Sequence, residues 1–323
     1  MLYRSAATAA ACVLLAISAA RAEYPERPVR VIVPFAPGGN VDLSARTLTP
    51  GMAENLGRSI VVDNRAGAGG AVGAEIVAGA NPDGYTLLVG STGLLTIAPI
   101  VFPKLQYDPV RDFAAVALIS EVPLVMMVGA ASPAKSVAEF VTLARSGARE
   151  LTMASSGNFS TGQLAGALFQ NVTGARLVHV PYKGSSPAVT DLIAGHVDVI
   201  FDQMSSALGS LRSNRLRALA ITAKARAPEL PDVPTMHEAG VSGVEAGTFT
   251  ALLAPARTPR DIVRRLNQAA SHVLSGKAAR ASFAKQGAHI LESTPETAGK
   301  YIADELAKWR RVVRTAGIKP ETP

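Results

Sequence analysis

Two stretches of this sequence share one arrangement, and its chemistry is anion capture. Val31-Ile32-Val33-Pro34-Phe35 is an apolar run leading into Ala36-Pro37-Gly38-Gly39-Asn40, and Leu151-Thr152-Met153-Ala154 leads into Ser155-Ser156-Gly157-Asn158-Phe159-Ser160-Thr161. Each reads as a strand, a loop of small residues and the start of a helix. The first N–H groups of a helix find no acceptor within it, and the helix dipole favours negative charge there. In open α/β sheets ligands sit beyond the carboxyl ends of strands, near such turns. Two of these turns facing one another across a cleft would hold a small anion from both sides.

Catalysis has little to build on. The single cysteine, Cys12, lies in an apolar N-terminal run. No G-x-S-x-G elbow occurs, and His179, His196, His237, His272 and His289 show no H-E-x-x-H or other close ligand spacing. His179 lies in an apolar strand and reads as a satisfied core histidine. Asp198 and Asp202 would share one face of a strand, but no third acid joins them nearby, so neither a metal nor a cofactor is expected. The run Gly67-Ala68-Gly69-Gly70-Ala71-Val72-Gly73 fails the dinucleotide fingerprint at Val72 and reads as a tight, closely packed strand-to-helix turn. Lys183-Gly184-Ser185 has the wrong order for a P-loop and no glycine-rich loop before it. The sequon Asn171-Val172-Thr173 falls on a predicted helix and carries little weight.

The elements that must position these loops follow the α/β pattern, apolar runs alternating with amphipathic segments. Strands are predicted at Val29–Phe35, Ile60–Asp63, Thr86–Val89, Leu124–Val128, Leu151–Ala154, Leu177–Val180, Val197–Phe201, Arg217–Thr222 and Phe249–Leu253. Helices are predicted at Val41–Leu56, Ala71–Ala80, Val137–Arg145, Gly162–Asn171, Ala188–Ala194, Pro259–Leu274, Ala278–Gln286 and Pro295–Ala316. Val41, Ala45, Leu48, Met52 and Leu56 share a face of the first helix, which Pro50 should kink and Gly57 can end. Ile302, Leu306, Trp309 and Val313 form a stripe on the last helix that reads as core packing.

Met1–Ala22 has the form of a secretory signal peptide: basic Arg4, an apolar run Ala6–Ala20, and the small-residue exit Ala20-Arg21-Ala22. The apolar run is shorter than the roughly 20 residues that span a bilayer. Its removal would take Cys12 with it, leaving no thiol, and would remove two of the charges in a formal net charge of +7. The rest of the positive charge is scattered and aromatics are only 5%, so no basic stripe with stacking residues speaks for nucleic acid. About 300 mature residues suggest two domains.

At these loops the chain resembles a known family. Tyr24 to Asp42, Val62 to Gly70, Pro82 to Leu87, Asp108 to Phe113, Val180 to Gly184 and Leu230 to Thr235 match, in order and spacing, the Bug receptors, periplasmic substrate-binding proteins of tripartite tricarboxylate transporters. The resemblance implies an α/β, two-domain, hinged binding fold of the second periplasmic type with the ligand in the interdomain cleft. The chain would cross between domains near Pro123 and near Val233–Thr248, so residues 23–123 and 234–323 form one domain and 124–233 the other.

The ligand implied is a small carboxylate, a di- or tricarboxylate, amino acid or aromatic acid, held by backbone amides and ordered waters. The implied ligand set is Phe35, Pro37, Gly38, Gly39, Asn40, Asp42, Ser91, Thr92, Ser155, Ser156, Asn158, Phe159, Ser160, Thr161, Tyr182, Lys183, Gly184, Asp202 and Gln203. Asn40, Phe159 and Gln203 fall where such receptors vary with ligand, and Gln163 stands where the family often has a histidine. Asp42, in the first turn of a helix, should organise its loop and meet the ligand only indirectly. The expected protein is a periplasmic monomer, not an enzyme, that serves membrane transporter subunits. A receptor feeding a sensor, or a secreted α/β hydrolase, is the alternative.

Export should remove residues 1–22. N-terminal sequencing of the secreted protein is expected to begin at Glu23, and a start displaced by more than a few residues would rule out this leader.

Overall fold

The computed structural model describes residues 24–35, 37–102, 104–182 and 184–318. The leader 1–22, Glu23 and Lys183 therefore lie outside the described residues. In chain order the elements are β1 (Val29–Val33), α1 (Asn40–Leu56), β2 (Ile60–Asn64), α2 (Ala71–Ala78), β3 (Thr86–Ser91), α3 (Ala98–Val101), β4 (Phe113–Gly129), α4 (Val137–Ser146), β5 (Leu151–Ser155) and α5 (Thr161–Thr173). They continue as β6 (Leu177–Pro181), α6 (Ser185–Ala194), β7 (Val199–Gln203), α7 (Met204–Arg212), β8 (Leu216–Ile221), β9 (Gly247–Pro255), α8 (Arg260–Ser275), α9 (Lys277–Lys285), β10 (His289–Ile290) and α10 (Pro295–Thr315). A π-helical turn, Gly93–Ile97, leads into α3.

One sheet path runs β2-β1-β3-β9-β4-β7-β5-β6, with β8 and β10 also on β4. Two three-stranded parallel groups, β2-β1-β3 and β6-β5-β7, are joined through antiparallel β9 and β4. β4 serves both groups. Its first part pairs with β9 as far as Pro123↔Gly247, and its second part pairs with β7 from Leu124↔Gln203 onward. Proline has no N–H for a ladder, so Pro123 falls where the strand changes partner. Thr222 ties the same point: Leu124 N–H donates to its Oγ1 (3.0 Å), and its own N–H donates to the Leu124 carbonyl (2.9 Å).

Most predicted elements are present with ends shifted by a few residues. The prediction missed the first part of β4, whose Ser120, Glu121 and Pro123 interrupt an apolar pattern. It also missed α3, α7 and β10. β7 runs two residues further than expected, to Asp202 and Gln203. α1 does not break at Pro50; it runs as one helix from Asn40 to Leu56, and Pro50 lies on its exposed side, where a carbonyl left without a donor can be solvated. Gly57 closes α1 in the left-handed region (φ 69°).

Burial explains how the two candidate loops are held. α1 buries Ala45, Leu48, Met52 and Leu56 against β1 and β3. Its Ser44 joins a fully buried hydroxyl cluster with Ser120 of β4 and Thr250 of β9 (3.3–3.4 Å from Ser44; 3.0 Å between the other two). The glycine run after β2 packs beneath the first loop, where a Cβ on Gly73 would lie 2.7 Å from the Pro34 side chain. On α5, a Cβ on Gly162 would lie 2.2 Å from the Phe201 carbonyl oxygen, so only glycine lets the start of α5 lie against β7. Ala298 and Ile302 of α10 belong to one buried cluster with Phe249 and Leu88, and Trp309, Val312 and Val313 to another with Leu124, Met126 and Phe201. The last helix packs on β4, on the π-helical turn that follows β3 and on α5, which follows β5.

Trp309 is fully buried, and its indole N–H donates to Glu305 (3.1 Å). Trp309→Ala is expected to lower stability by about 3–5 kcal/mol, read as a shift of the urea midpoint by circular dichroism.

Candidate functional site

The loops that follow β1 and β5 open onto one cavity of about 340 Å³. From one side it is lined by Phe35, Gly39, Asn40, Val41, Ser91 and Gly93, and from the other by Ser156, Phe159, Ser160, Thr161, Gly162, Asp202 and Gln203. Leu124 and Thr248, from the two strands that join the groups, form its floor. Larger grooves exist, about 750 Å³ between α1, α8 and α9 and about 620 Å³ behind β4 beside Tyr301 and Glu305. Neither receives a strand-loop-helix start from both sheet groups, and this cavity does.

Its described lining joins apolar side chains with neutral polar groups and one carboxyl, Asp202. Among the described lining residues there is no lysine, arginine or histidine. Asn40 and Val41 begin α1, and Thr161 and Gly162 begin α5, so first-turn N–H groups of two helices border the same space. Asn40 Nδ2 is buried and has no hydrogen-bond partner. Gln203 Nε2 donates to Thr248 Oγ1 (3.2 Å), and Thr248 in turn reaches Thr161 (3.4 Å), so β7, β9 and α5 are laced together at the cavity edge. The Phe159 ring lies edge-on to Phe102 with centroids 5.8 Å apart.

The remaining expected residues support these walls without lining them. Asp42 is 1% exposed. Its carboxylate accepts from Gly38 N–H (2.9 Å), Arg46 Nε (2.9 Å) and Asn64 Nδ2 (2.9 Å), which ties the first loop to α1 and β2. Burial pushes the Asp42 carboxyl up, but the hydrogen bonds from Arg46, Gly38 and Asn64 outweigh it and hold it below the usual range. Pro37 and Gly38 are exposed in that loop. The Thr92 hydroxyl accepts from Phe249 N–H (2.8 Å) and is committed to β9.

In the second loop, Ser155 is fully buried and Asn158 is exposed. Tyr182 donates its hydroxyl to Asp191 (2.6 Å), and Gly184 N–H donates to the Ser156 carbonyl (3.1 Å), so both brace the second loop from behind. The two acids once paired on one strand face separate tasks. Asp198 takes Arg149 and Thr152, while Asp202 takes the hydroxyls of Ser185 and Ser206 (2.8 Å each). Among the described residues no group of three potential metal ligands occurs.

Sequence reasoning missed Val41, Gly93, Leu124, Gly162 and Thr248. Gly93 follows the end of β3, and Leu124 and Thr248 lie where β4 and β9 pass between the strand groups. His179 was read as a core histidine. It is half-buried in β6 and bonds Ser155 and Gln163 directly behind the cavity loop.

This α/β arrangement, with a cavity where two groups of strands meet, is the fold of periplasmic binding proteins. A family model described as the tripartite tricarboxylate transporter family receptor matches residues 44–318, and the chain belongs to that family. It is similar to BugT of Bordetella pertussis, 38% identical over 297 residues, which are 92% of this chain and 91% of that protein. Among solved structures, Rpa4515 of R. palustris with adipate superposes with a TM-score of 0.81 at 36% identity, covering 93% of this chain and 100% of the other. MatC from Rhodopseudomonas palustris with bound malate superposes with a TM-score of 0.75 at 38% identity, covering 90% and 100%. Among the described residues no helix is long and apolar enough to cross a membrane.

Asp42 gives a pH-dependent test. Its folded-state pKa lies below the unfolded value, so its contribution is complete above about pH 4 and is lost as pH falls through the folded value. Asp42→Asn is expected to lose about 1–3 kcal/mol at neutral pH. The gap from wild type should close as the medium is made strongly acidic, measured by urea unfolding across the acid range.

Proposed function

We propose that this chain captures a small carboxylate in the cavity between the loops Phe35–Asp42 and Ser155–Thr161, and delivers it unchanged to the membrane subunits of a tripartite transporter. The observation that carries the reading is the pair of helix starts, α1 and α5, bordering one cavity with no cation among its described lining residues. Backbone donors recognise an anion without a buried fixed cation, whose removal from water costs several kcal/mol. Hydrogen bonds to a charged group contribute about 1.5–3 kcal/mol each, so a few suffice for micromolar binding, near −8.2 kcal/mol.

The rest of the acid meets Phe35, Val41, Leu124 and Phe159, a largely apolar wall. Asn40 Nδ2, buried without a partner, calls for an acceptor on the ligand: a hydroxyl, keto or second carboxylate oxygen. Rpa4515 with adipate and MatC with malate carry acids of this kind. In this reading the chain folds as two lobes, 23–123 with 234–323 and 124–233, that hinge where β4 and β9 pass between the strand groups. It works as a monomer in the periplasm after loss of residues 1–22.

Adipate and malate are the first probes. At 100 times its Kd, a bound acid should raise stability by about 2.7 kcal/mol, a clear thermal shift. Gly39→Val places a branched side chain in the cavity wall and should weaken the bound probe at least tenfold, about 1.4 kcal/mol, by calorimetric titration. Unchanged affinity refutes the placement. Conversion of the probe to a new product, followed by proton NMR, refutes the receptor reading.

A further inference from the structure

The hydrogen-bond chain behind the second loop determines the state of His179. Backbone N–H groups only donate, so the Gln163 side-chain atom that meets Phe159 N–H (2.5 Å) is its oxygen, Oε1. The other amide atom, Nε2, then faces His179 Nδ1 at 3.2 Å as a donor. Nδ1 must accept, and a neutral imidazole with a bare Nδ1 carries its hydrogen on Nε2. That hydrogen points at Ser155 Oγ, 2.7 Å away. Ser155 passes its own hydrogen to the Gly157 carbonyl (2.9 Å). Every hydrogen in the chain Gln163–His179–Ser155–Gly157 is thereby assigned.

We infer that His179 is a positioning residue of the cavity: neutral, with its hydrogen on Nε2, it holds the Ser155–Ser160 loop in its anion-receiving form, and protonation releases that loop. The inference rests on the carboxylate reading of the cavity. A proton on Nδ1 would set an N–H against the Gln163 NH₂. Gln163 can relieve that conflict only by turning its oxygen to His179, which takes the acceptor away from Phe159 N–H. Phe159 sits at φ 60°, in the left-handed region that a non-glycine residue keeps only when its surroundings hold it there. Ser156, Phe159 and Ser160 line the cavity, so the disturbance lands on the ligand wall.

The groups that face the ring are Ser155 from β5 and Gln163 from α5, neither of them titratable. Burial alone lowers the His179 pKa, and no charged side chain contributes. The unfolded chain therefore takes up this proton first as pH falls below about 6.5, so stability declines from there, and loop order follows only as pH passes through the lower folded-state value. An imidazolium acting directly as a charge for the anion would have the opposite sign, with affinity rising in acid.

Two measurements test this. Long-range ¹⁵N–¹H spectra of the ligand-free protein should show His179 as the Nε2–H tautomer, titrating below about pH 6.5, with the Gly157 and Phe159 amide signals moving at the same midpoint. An Nδ1–H tautomer, or amide signals that ignore the titration, overturns the inference whether or not any acid binds. Calorimetric titration with adipate should show affinity falling in wild type between about pH 7.5 and a second pH below the His179 midpoint found in the spectra. His179→Gln keeps a donor for Ser155 without a titrating group and should show only the slope that adipate's own carboxyl groups impose. His179→Leu should lose at least tenfold at both values. Affinity that rises in acid, or a wild-type slope no steeper than that of His179→Gln, overturns it. Adipate that fails to bind wild type at either pH refutes the carboxylate reading for that probe and leaves the spectra to decide the role of His179.

Discussion

The first turns of α1 and α5 carry N–H groups that no carbonyl of their own helix can meet, and these groups must stay available at the cavity and must not be used up by their own loops. Much of the surrounding structure serves that constraint. In the first loop the Asp42 carboxylate draws in Gly38 N–H, Arg46 and Asn64, and so fixes the loop from behind. In the second, Gln163 takes Phe159 N–H and Ser160 Oγ takes Gln163 N–H, which leaves Thr161 and Gly162 at the wall. One loop is organised by an anion paired with arginine and the other by a neutral chain through histidine. The difference matters with pH: the Asp42 network holds until acid well below the histidine range, while the His179 network is sensitive near it.

The two helix starts can face each other only because the chain passes between strand groups at that place. β4 and β9 run through both regions, and their handover lies at Pro123 and Gly247, next to Leu124 and Thr248 of the cavity floor. Backbone rotation at this point would change the distance between the loops while leaving each loop on its own rigid group of parallel strands. The buried hydroxyls of Ser44, Ser120 and Thr250 attach α1 to the same two strands. In the proposed two-lobe reading, closure around a ligand is tied through this cluster to the start of α1.

How much of this was legible in the sequence depends on the range of the interaction. The loops Phe35–Asp42 and Ser155–Thr161 are local patterns, an apolar run followed by small residues and an amphipathic segment, and they are found where they were read. The role of Asp42 as an organiser follows from its place in the first turn of a helix. The upper part of β4 was not legible, because Ser120, Glu121 and Pro123 break the apolar alternation and only its pairing with β9, more than a hundred residues later, makes it a strand. Nothing near Thr92 in the sequence shows that Phe249 N–H takes its hydroxyl, again a distant partner. His179 looked like a core residue because nothing in its own segment names Ser155 and Gln163 as its partners.

Asp202 shows why a carboxyl group in the wall is compatible with an anion site. Burial pushes its pKa up, against the hydrogen bonds from Ser206 and Ser185, and the net is above the ordinary value. Both oxygens receive hydroxyls, Ser185 from the start of α6 and Ser206 from the first turn of α7. Both oxygens of the acid are thus engaged by hydroxyls at two helix starts, whose positive ends favour what charge it carries. Helix starts thus act twice here. Those of α6 and α7 hold Asp202, the one acidic group among the described lining residues, and in the proposed reading those of α1 and α5 receive the ligand.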